Sequence, residues 1–133
     1  MEDLLKNMQS IAVIGASPAR TRASNSIVRY LIQNGFKVIP VNPNYDSVEG
    51  IRCYAAIGEI PLDTRVDVFT IFRNARYSAD TVRDIVEWAE ESGQSPAVWT
   101  QLGVSTPEAE KVARDARLKY VRNRCIMVEH SVL

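Results

Sequence analysis

The sequence predicts an α/β fold, an open and doubly wound sheet of about five parallel strands flanked by helices. Three observations predict it. Residues 11–14 are a short apolar run that ends at Gly15 and leads into a helical segment. Similar β-branched runs recur at residues 38–41, 66–72 and 97–100, with helical periodicity before or after them. Residues 11–14 are apolar throughout rather than alternating, which is the pattern of a strand covered on both faces.

The elements follow in order. Residues 2–9 predict a short leading helix with Leu4, Leu5 and Met8 on one edge, covering the sheet. Residues 11–14 form the first strand. Residues 24–34 form a helix with the apolar stripe Ile27, Val28, Leu31 and Ile32, closed by Gly35. Residues 37–41 form the second strand, ended by Pro40-Val41-Asn42-Pro43, because proline cannot donate to a central ladder. Residues 46–61 read as irregular, with one helical turn at 55–59. Residues 66–72 form the third strand.

Residues 78–92 form a helix carrying Val82, Ile85, Val86 and Ala89 at helical spacing, and its carboxylates, Asp84 and Glu87 among them, read as a solvated face. Residues 97–100 form the fourth strand. Thr106-Pro107-Glu108-Ala109-Glu110 starts a helix with a capping residue, proline at N1 and acids in the first turn. Residues 120–122 form a short fifth strand. Residues 123–133 are a tail whose Cys125-Ile126-Met127-Val128 section is apolar enough to pack back. Right-handed crossovers then give a Rossmann-like open sheet.

A chain of 133 residues fits one domain over residues 1–133, large enough to bury its own core. Hydrophobic residues at 46% and charged residues at 24% place it among globular proteins rather than disordered or membrane ones. Sixteen basic and sixteen acidic side chains cancel, so no global field draws the chain to nucleic acid or to an anionic membrane. Cys53 and Cys125 lie far apart, without CxxC or Cys/His spacing, which argues against a metal site or a disulfide framework. The amino terminus has no signal-peptide pattern and no apolar run reaches the roughly 20 residues that span a bilayer. The expected location is cytoplasmic.

In open α/β sheets ligands bind beyond the carboxyl ends of the strands, at the switch in strand order. The residues there are 15–24, 42–45, 73–76, 101–105 and 123–125, and they include Arg20, Arg22, Arg73, Arg76 and Arg124. In a neutral protein that collection predicts a local anion site, against the alternative that each arginine pairs with a surface carboxylate. The fingerprint GxGxxG is missing after Gly15, and Val41-Asn42-Pro43 stands where a dinucleotide site needs an acid for the ribose. Both departures weigh against NAD. They leave ligands with an extra phosphate, NADP and coenzyme A.

The residues also carry a resemblance. Its elements are Gly15-Ala16-Ser17-Pro18, Arg22 with Ser24, Tyr30-Leu31 with Gly35-Phe36, Val41-Asn42-Pro43-Asn44-Tyr45, Gly50 with Cys53-Tyr54, the stretch 68–72, Val98-Trp99 with Gln101-Leu102-Gly103, and Asn123-Arg124-Cys125 with Glu129-His130. Together they resemble the small single-domain CoA-binding proteins, whose fold is similar to the CoA-binding domain of the succinyl-CoA synthetase alpha subunit. The resemblance implies that the loop Gly15, Ala16, Ser17, Pro18 through Arg22, with Ser24 after it, meets the phosphates of coenzyme A or an acyl-CoA. It places Asn42 and Pro43 at the adenosine end, and Phe72, Arg73, Gln101, Leu102 and Gly103 along the pantetheine arm. Arg20 and Ala23 depart from the family by standing where prolines are expected, so a less rigid loop is anticipated.

Other residues carry competing readings. Cys125, beside Arg124 at a strand end, is a candidate thiol for exchange with the CoA sulfur, against the commoner state of a buried inert cysteine. His130 is the only histidine, and a structural role is favoured because a catalytic one needs an oriented partner. Trp99 reads as core, and Trp88, on a charged helix, as a mark of a partner surface. Ser17 lies outside any GxSxG turn. The expected function is therefore a CoA-binding module, non-catalytic by itself. The alternatives are an NADP-linked or other nucleotide-dependent enzyme, and an acyl-CoA-sensing subunit that signals to a protein partner, or to a second copy, through Trp88 or the tail. Gly15→Glu is expected to abolish binding by filling the phosphate site.

Overall fold

The computed structural model describes residues 1–133. Helix α1 (Glu2–Asn7) and strand β1 (Ser10–Ile14) lead into α2 (Ala23–Gln33) and β2 (Lys37–Val41). A small hairpin follows, β3 (Ser47–Val48) antiparallel to β4 (Ile51–Arg52). Then come β5 (Val68–Ile71), α3 (Ser78–Ser92), β6 (Ala97–Thr100), α4 (Pro107–Asp115), β7 (Tyr120–Val121) and α5 (Ile126–Ser131). The main sheet has the order β2-β1-β5-β6-β7 with every pair parallel. The order reverses beside β1, which makes the gap between β1 and β5 the switch point.

The period of two along each strand divides the core between the faces. Ile11, Val13, Val38, Val68, Ala97 and Trp99 pack with Ile27, Val28 and Leu31 of α2, Leu5 of α1 and Ile126 of α5. Ala12, Ile14, Ile39, Val41, Phe69, Ile71 and Val98 pack on the other face with Val82, Ile85 and Trp88 of α3 and with Ala109 and Ala113 of α4. All five residues of β1 are buried, which is why its sequence is apolar without alternation. The sheet is thus covered on both faces, as expected.

The boundaries of β2, α3 and β6 are those the sequence predicts. Pro40 lies inside β2 because β2 is the edge strand of the main sheet. Beyond β2 only the Tyr54 segment pairs: its N–H donates to the Pro40 carbonyl at 3.0 Å and its carbonyl accepts from Asn42 at 2.9 Å. The α4 cap also forms, with Thr106 Oγ1 accepting from the Ala109 N–H at 3.1 Å and proline in the first turn.

Three segments differ from expectation. β5 is shorter than 66–72, since the N–H of Val66 turns to the side chain of Gln94 at 3.0 Å. Residues 46–61 are not wholly irregular: Glu49 (φ 50°) and Gly50 (φ 75°) supply the pair of positive φ values that turns the β3–β4 hairpin. The helical turn there is a 3₁₀ turn at Ile57–Glu59. The tail packs back, and does so as helix α5, with Ile126 fully buried.

Candidate functional site

Gly15 sits where β1 ends at the switch point, with φ 86°. Its N–H donates to the Val41 carbonyl at 2.8 Å, and the next strand crosses it, with the Phe72 N–H donating to Ile14 at 2.8 Å. A Cβ at Gly15 would overlap the Phe72 carbonyl oxygen. Glycine is therefore required by the approach of two backbones and by its positive φ. This corrects the reasoning behind Gly15→Glu: the side chain would strike the end of β5 before it reached any ligand.

Beyond Gly15 the loop is tied down from behind. Asn42 Nδ2 donates to the Ala16 carbonyl at 2.9 Å, and Asn42 Oδ1 accepts from Asn44 at 3.0 Å. Fully buried Asn25 of α2 donates to the Ser17 carbonyl at 2.9 Å, and Ser17 Oγ accepts from Ala19 at 3.1 Å. The carbonyls of the loop are thus held on the protein side. The N–H groups of Ala16 and Ser17, and of Ala23 and Ser24 in the first turn of α2, donate to no protein acceptor. Ser24 is 5% exposed and its hydroxyl also has no protein partner. Of these, Ser17, Ala23 and Ser24 line one cleft, and the last two lie in the first turn of an eleven-residue helix, where the dipole favours negative charge.

A cleft of about 960 Å³ opens across the carboxyl ends of β2, β1, β5 and β6. That is the upper part of the range for small-molecule sites, roughly 300–1,000 Å³. Of the expected residues, Gly15, Ser17, Arg22, Ser24, Asn42, Pro43, Phe72, Arg73, Gln101, Leu102 and Cys125 line it. Ala16, Pro18 and Gly103 do not. Ala16 lies behind the loop, fully buried, while Pro18 is exposed outside the cleft.

The arginine rim is smaller than expected. Arg22 and Arg73 line the cleft, and neither has a carboxylate within ion-pair distance. Arg73 stacks on the Tyr77 ring at 4.8 Å and donates to Thr81 Oγ1 at 3.3 Å. The other three turn elsewhere. Arg20 pairs with Glu49 of the hairpin turn at 3.6 Å, Arg76 caps the Tyr77 ring and hydroxyl, and Arg124 pairs with Glu129 of α5 at 3.1 Å. Ala23 occupies N1 of α2, where proline would also fit, so that departure leaves the helix start intact.

Gln101 is 7% exposed, and its side-chain carbonyl accepts from Thr70 Oγ1 at 3.3 Å and from the Ile126 N–H at 3.1 Å. It therefore seats α5 on the end of β6. Trp99 is core, as expected, and donates to the Arg124 carbonyl at 2.7 Å. His130 is structural: Nδ1 meets the Tyr30 hydroxyl at 2.7 Å and the ring packs edge-on against Phe36, away from the cleft. Trp88 is a correction. It is 2% exposed, edge-on to Phe69, and donates to the Ile60 carbonyl at 3.0 Å, so it marks no partner surface.

The sequence reading missed Ala55, Ala56, Ile57, Tyr77, Asp84 and Met127 in the cleft wall. One signal was available: Tyr77, Thr81 and Asp84 follow the i, i+4, i+7 spacing of one helical face, which marks Asp84 as different from the other carboxylates of α3. Burial pushes the Asp84 carboxyl up, Glu87 and Asp80 push it the same way, and Arg73 opposes them. It is the one acid on the wall. Among groups of His, Cys, Asp and Glu, none is arranged to hold a metal ion.

Comparison with known proteins bears on the same region. The profile of a family described as CoA binding domain matches residues 9–131. An uncharacterized protein of Bacillus subtilis (strain 168), YneT, is 26% identical over 132 residues, which is 99% of this chain and 93% of that protein. The ADP-forming acetate–CoA ligase II of Archaeoglobus fulgidus is 34% identical over 111 residues. That match takes in 82% of this chain and 16% of the ligase, so most of the ligase lies outside it. Among solved structures, a hypothetical protein from Pyrococcus horikoshii OT3 superimposes with a TM-score of 0.87 at 36% identity, covering 99% of this chain and 88% of that one.

Proposed function

The chain belongs to the CoA binding domain family, and from that premise we propose that it holds coenzyme A or an acyl-CoA in the cleft along the carboxyl edge of the sheet. The observation that carries the reading is the set of unpaired donors at the switch point. Main-chain N–H groups of Ser17, Ala23 and Ser24 line the cleft with Arg22, and Arg73, whose Cγ lies 3.4 Å from where a Gly15 Cβ would stand, lines it without a carboxylate partner. The donor set suits a diphosphate, which offers several acceptor oxygens. The apolar and amide-bearing wall formed by Phe72, Gln101 and Leu102 suits the pantetheine arm, and Pro43 and Tyr45 suit the adenosine end.

In this reading Asn42 shapes the site rather than binding with its side chain, because both ends of its amide are spent on the loop. The unit is non-catalytic by itself, since His130 is engaged with Tyr30 and Ser17 has no base beside it. No helix is long and apolar enough to cross a membrane. We place the protein in the cytoplasm, a compartment consistent with two cysteines that form no disulfide with each other.

Calorimetry with CoA, dephospho-CoA, NADP and ATP in parallel tests the proposal. CoA is expected to bind tightest, and loss of the 3′-phosphate to weaken binding by roughly 1.5–3 kcal/mol if an arginine contacts it. Equal or tighter binding of NADP would favour the enzyme reading instead. No heat with CoA at any concentration would reject the proposal.

A further inference from the structure

Two recesses share a wall that includes Cys125. Cys125 and Leu102 line the large cleft and also a second, more open recess of about 430 Å³, bounded by Arg122, Arg124, Val128 and Glu129. The other cysteine offers a contrast within the same chain. Cys53 is buried, borders neither recess, and is held against the carbonyls of Asn42 and Tyr54. Burial pushes its thiol up, which lowers its reactivity.

A second feature beside Cys125 also points to a ligand. Gln101 is more than nine-tenths buried, its carbonyl is spent on Thr70 and on the Ile126 N–H next to Cys125, and its amide nitrogen donates to no protein atom. No buried side-chain nitrogen or oxygen lacks a partner in this molecule. The unpaired nitrogen therefore keeps an open side, and the large cleft is the space that Gln101 lines. An amide carbonyl on an extended arm would satisfy it, on the cleft wall that Gln101 shares with Cys125.

The order of the walls sets the direction of such an arm. A ligand with phosphates at the loop after β1 and its nucleoside toward the end of β2 must run its other end over β5 and β6, two strand spacings of about 4.8 Å each, toward α5. Cys125 stands at that end. Resting on the CoA reading above, we propose that Cys125 captures the pantetheine thiol as a mixed disulfide by exchange with a symmetrical CoA disulfide.

The step balances without a further oxidant. The Cys125 thiol loses its proton to solvent, and its sulfur attacks the disulfide sulfur of the half seated in the cleft. A Cys125–CoA disulfide forms as the original S–S bond breaks, and the other CoA leaves as a thiolate that takes up a proton. In-line displacement needs free space for the departing half, and the second recess, which shares Leu102 and Cys125 with the cleft, offers open volume next to it. A thiol such as free CoA or glutathione reverses the step. The protein then reports on the balance between CoA and its disulfide.

Intact-mass measurement on the reduced, desalted full chain tests this. CoA disulfide is expected to add one CoA, less two hydrogens, per chain and to release one equivalent of free CoA, reversibly with dithiothreitol. After tryptic digestion the adduct should lie on the peptide that begins at Cys125, not on the one that begins at Cys53. Pantethine has the same reacting sulfur and leaving group but no nucleotide, and it should react at least about tenfold more slowly. Cys125→Ser should take up none, and serine is a favoured residue at the start of a helix, so the variant should fold. Equal rates for the two disulfides, or an adduct on Cys53, would overturn the proposal. Calorimetry of the wild-type chain with reduced CoA separates the two readings: binding without adduct formation overturns the capture alone, and absence of both overturns the CoA reading with it.

Discussion

Gly15 is the residue on which the cleft turns, and the reason is steric. With φ at 86° and the Phe72 carbonyl where a Cβ would stand, any side chain there must displace the end of β5. Gly15→Ala is expected to cost at least about 2 kcal/mol, read as a lower urea midpoint, and an unchanged midpoint would contradict the geometry. Arg22 makes the opposite kind of prediction. It is exposed and unpaired, so Arg22→Ala should leave thermal stability nearly unchanged while weakening CoA by roughly 1.5–3 kcal/mol, about ten- to a hundredfold in calorimetry. At this scale the sequence marked the right strand ends but not the destinations of long side chains. Arg20 was drawn off by Glu49 in a turn the sequence did not announce, and Arg124 by Glu129 one helical turn along the tail. Trp88 misled because its helix is charged on most sides, whereas its own position faces Phe69.

Elements were legible in proportion to their length and their end signals. Helix α3 runs fifteen residues with one apolar stripe and closes at Gly93 in the left-handed conformation, so periodicity and punctuation agree. Helix α4 announces itself through Thr106 and Pro107, and Thr106→Ala should cost about 1 kcal/mol in chemical denaturation; no loss would mean the cap bond to Ala109 is not formed in solution. The β3–β4 hairpin has two residues per strand, too few for alternation to register, and Glu-Gly is a weaker turn signal than Asn-Gly. Helix α5 has six residues and is seated by tertiary bonds, from Gln101 to the Ile126 N–H and from Tyr30 to His130, which no local pattern encodes. The cleft wall inherited both omissions, since Met127 comes from α5 and Ala55–Ile57 from the segment after the hairpin.

For the molecule as a whole, the unbroken apolar run 11–14 and the alternation of strands with helices foretold a sheet covered on both faces, and the sheet order then placed the first loop at the switch point. The opposite edge of the sheet carries a pH-sensitive clamp. Burial opposes ionisation of Asp67, but hydrogen bonds from the Gln9 and Ser10 N–H groups and the Arg65 guanidinium outweigh it and hold the carboxyl below its usual range. Its folded pKa being depressed, the clamp stabilises fully above the unfolded value of about 3.9 and is lost as pH falls through the folded value. Asp67→Asn should therefore lower stability at pH 7 by roughly 1–3 kcal/mol, and the gap from wild type should close in acid; a gap independent of pH would contradict the clamp. The central claim is that CoA lies along the carboxyl edge with its diphosphate on the first loop. An amide NMR titration of the labelled chain with CoA tests it most directly. The account predicts the largest shifts at Ala16, Ser17, Ala23, Ser24, Gln101 and Cys125, with α4 and the amino-terminal edge unmoved. Shifts confined to those distant elements, or none at millimolar CoA, would contradict it.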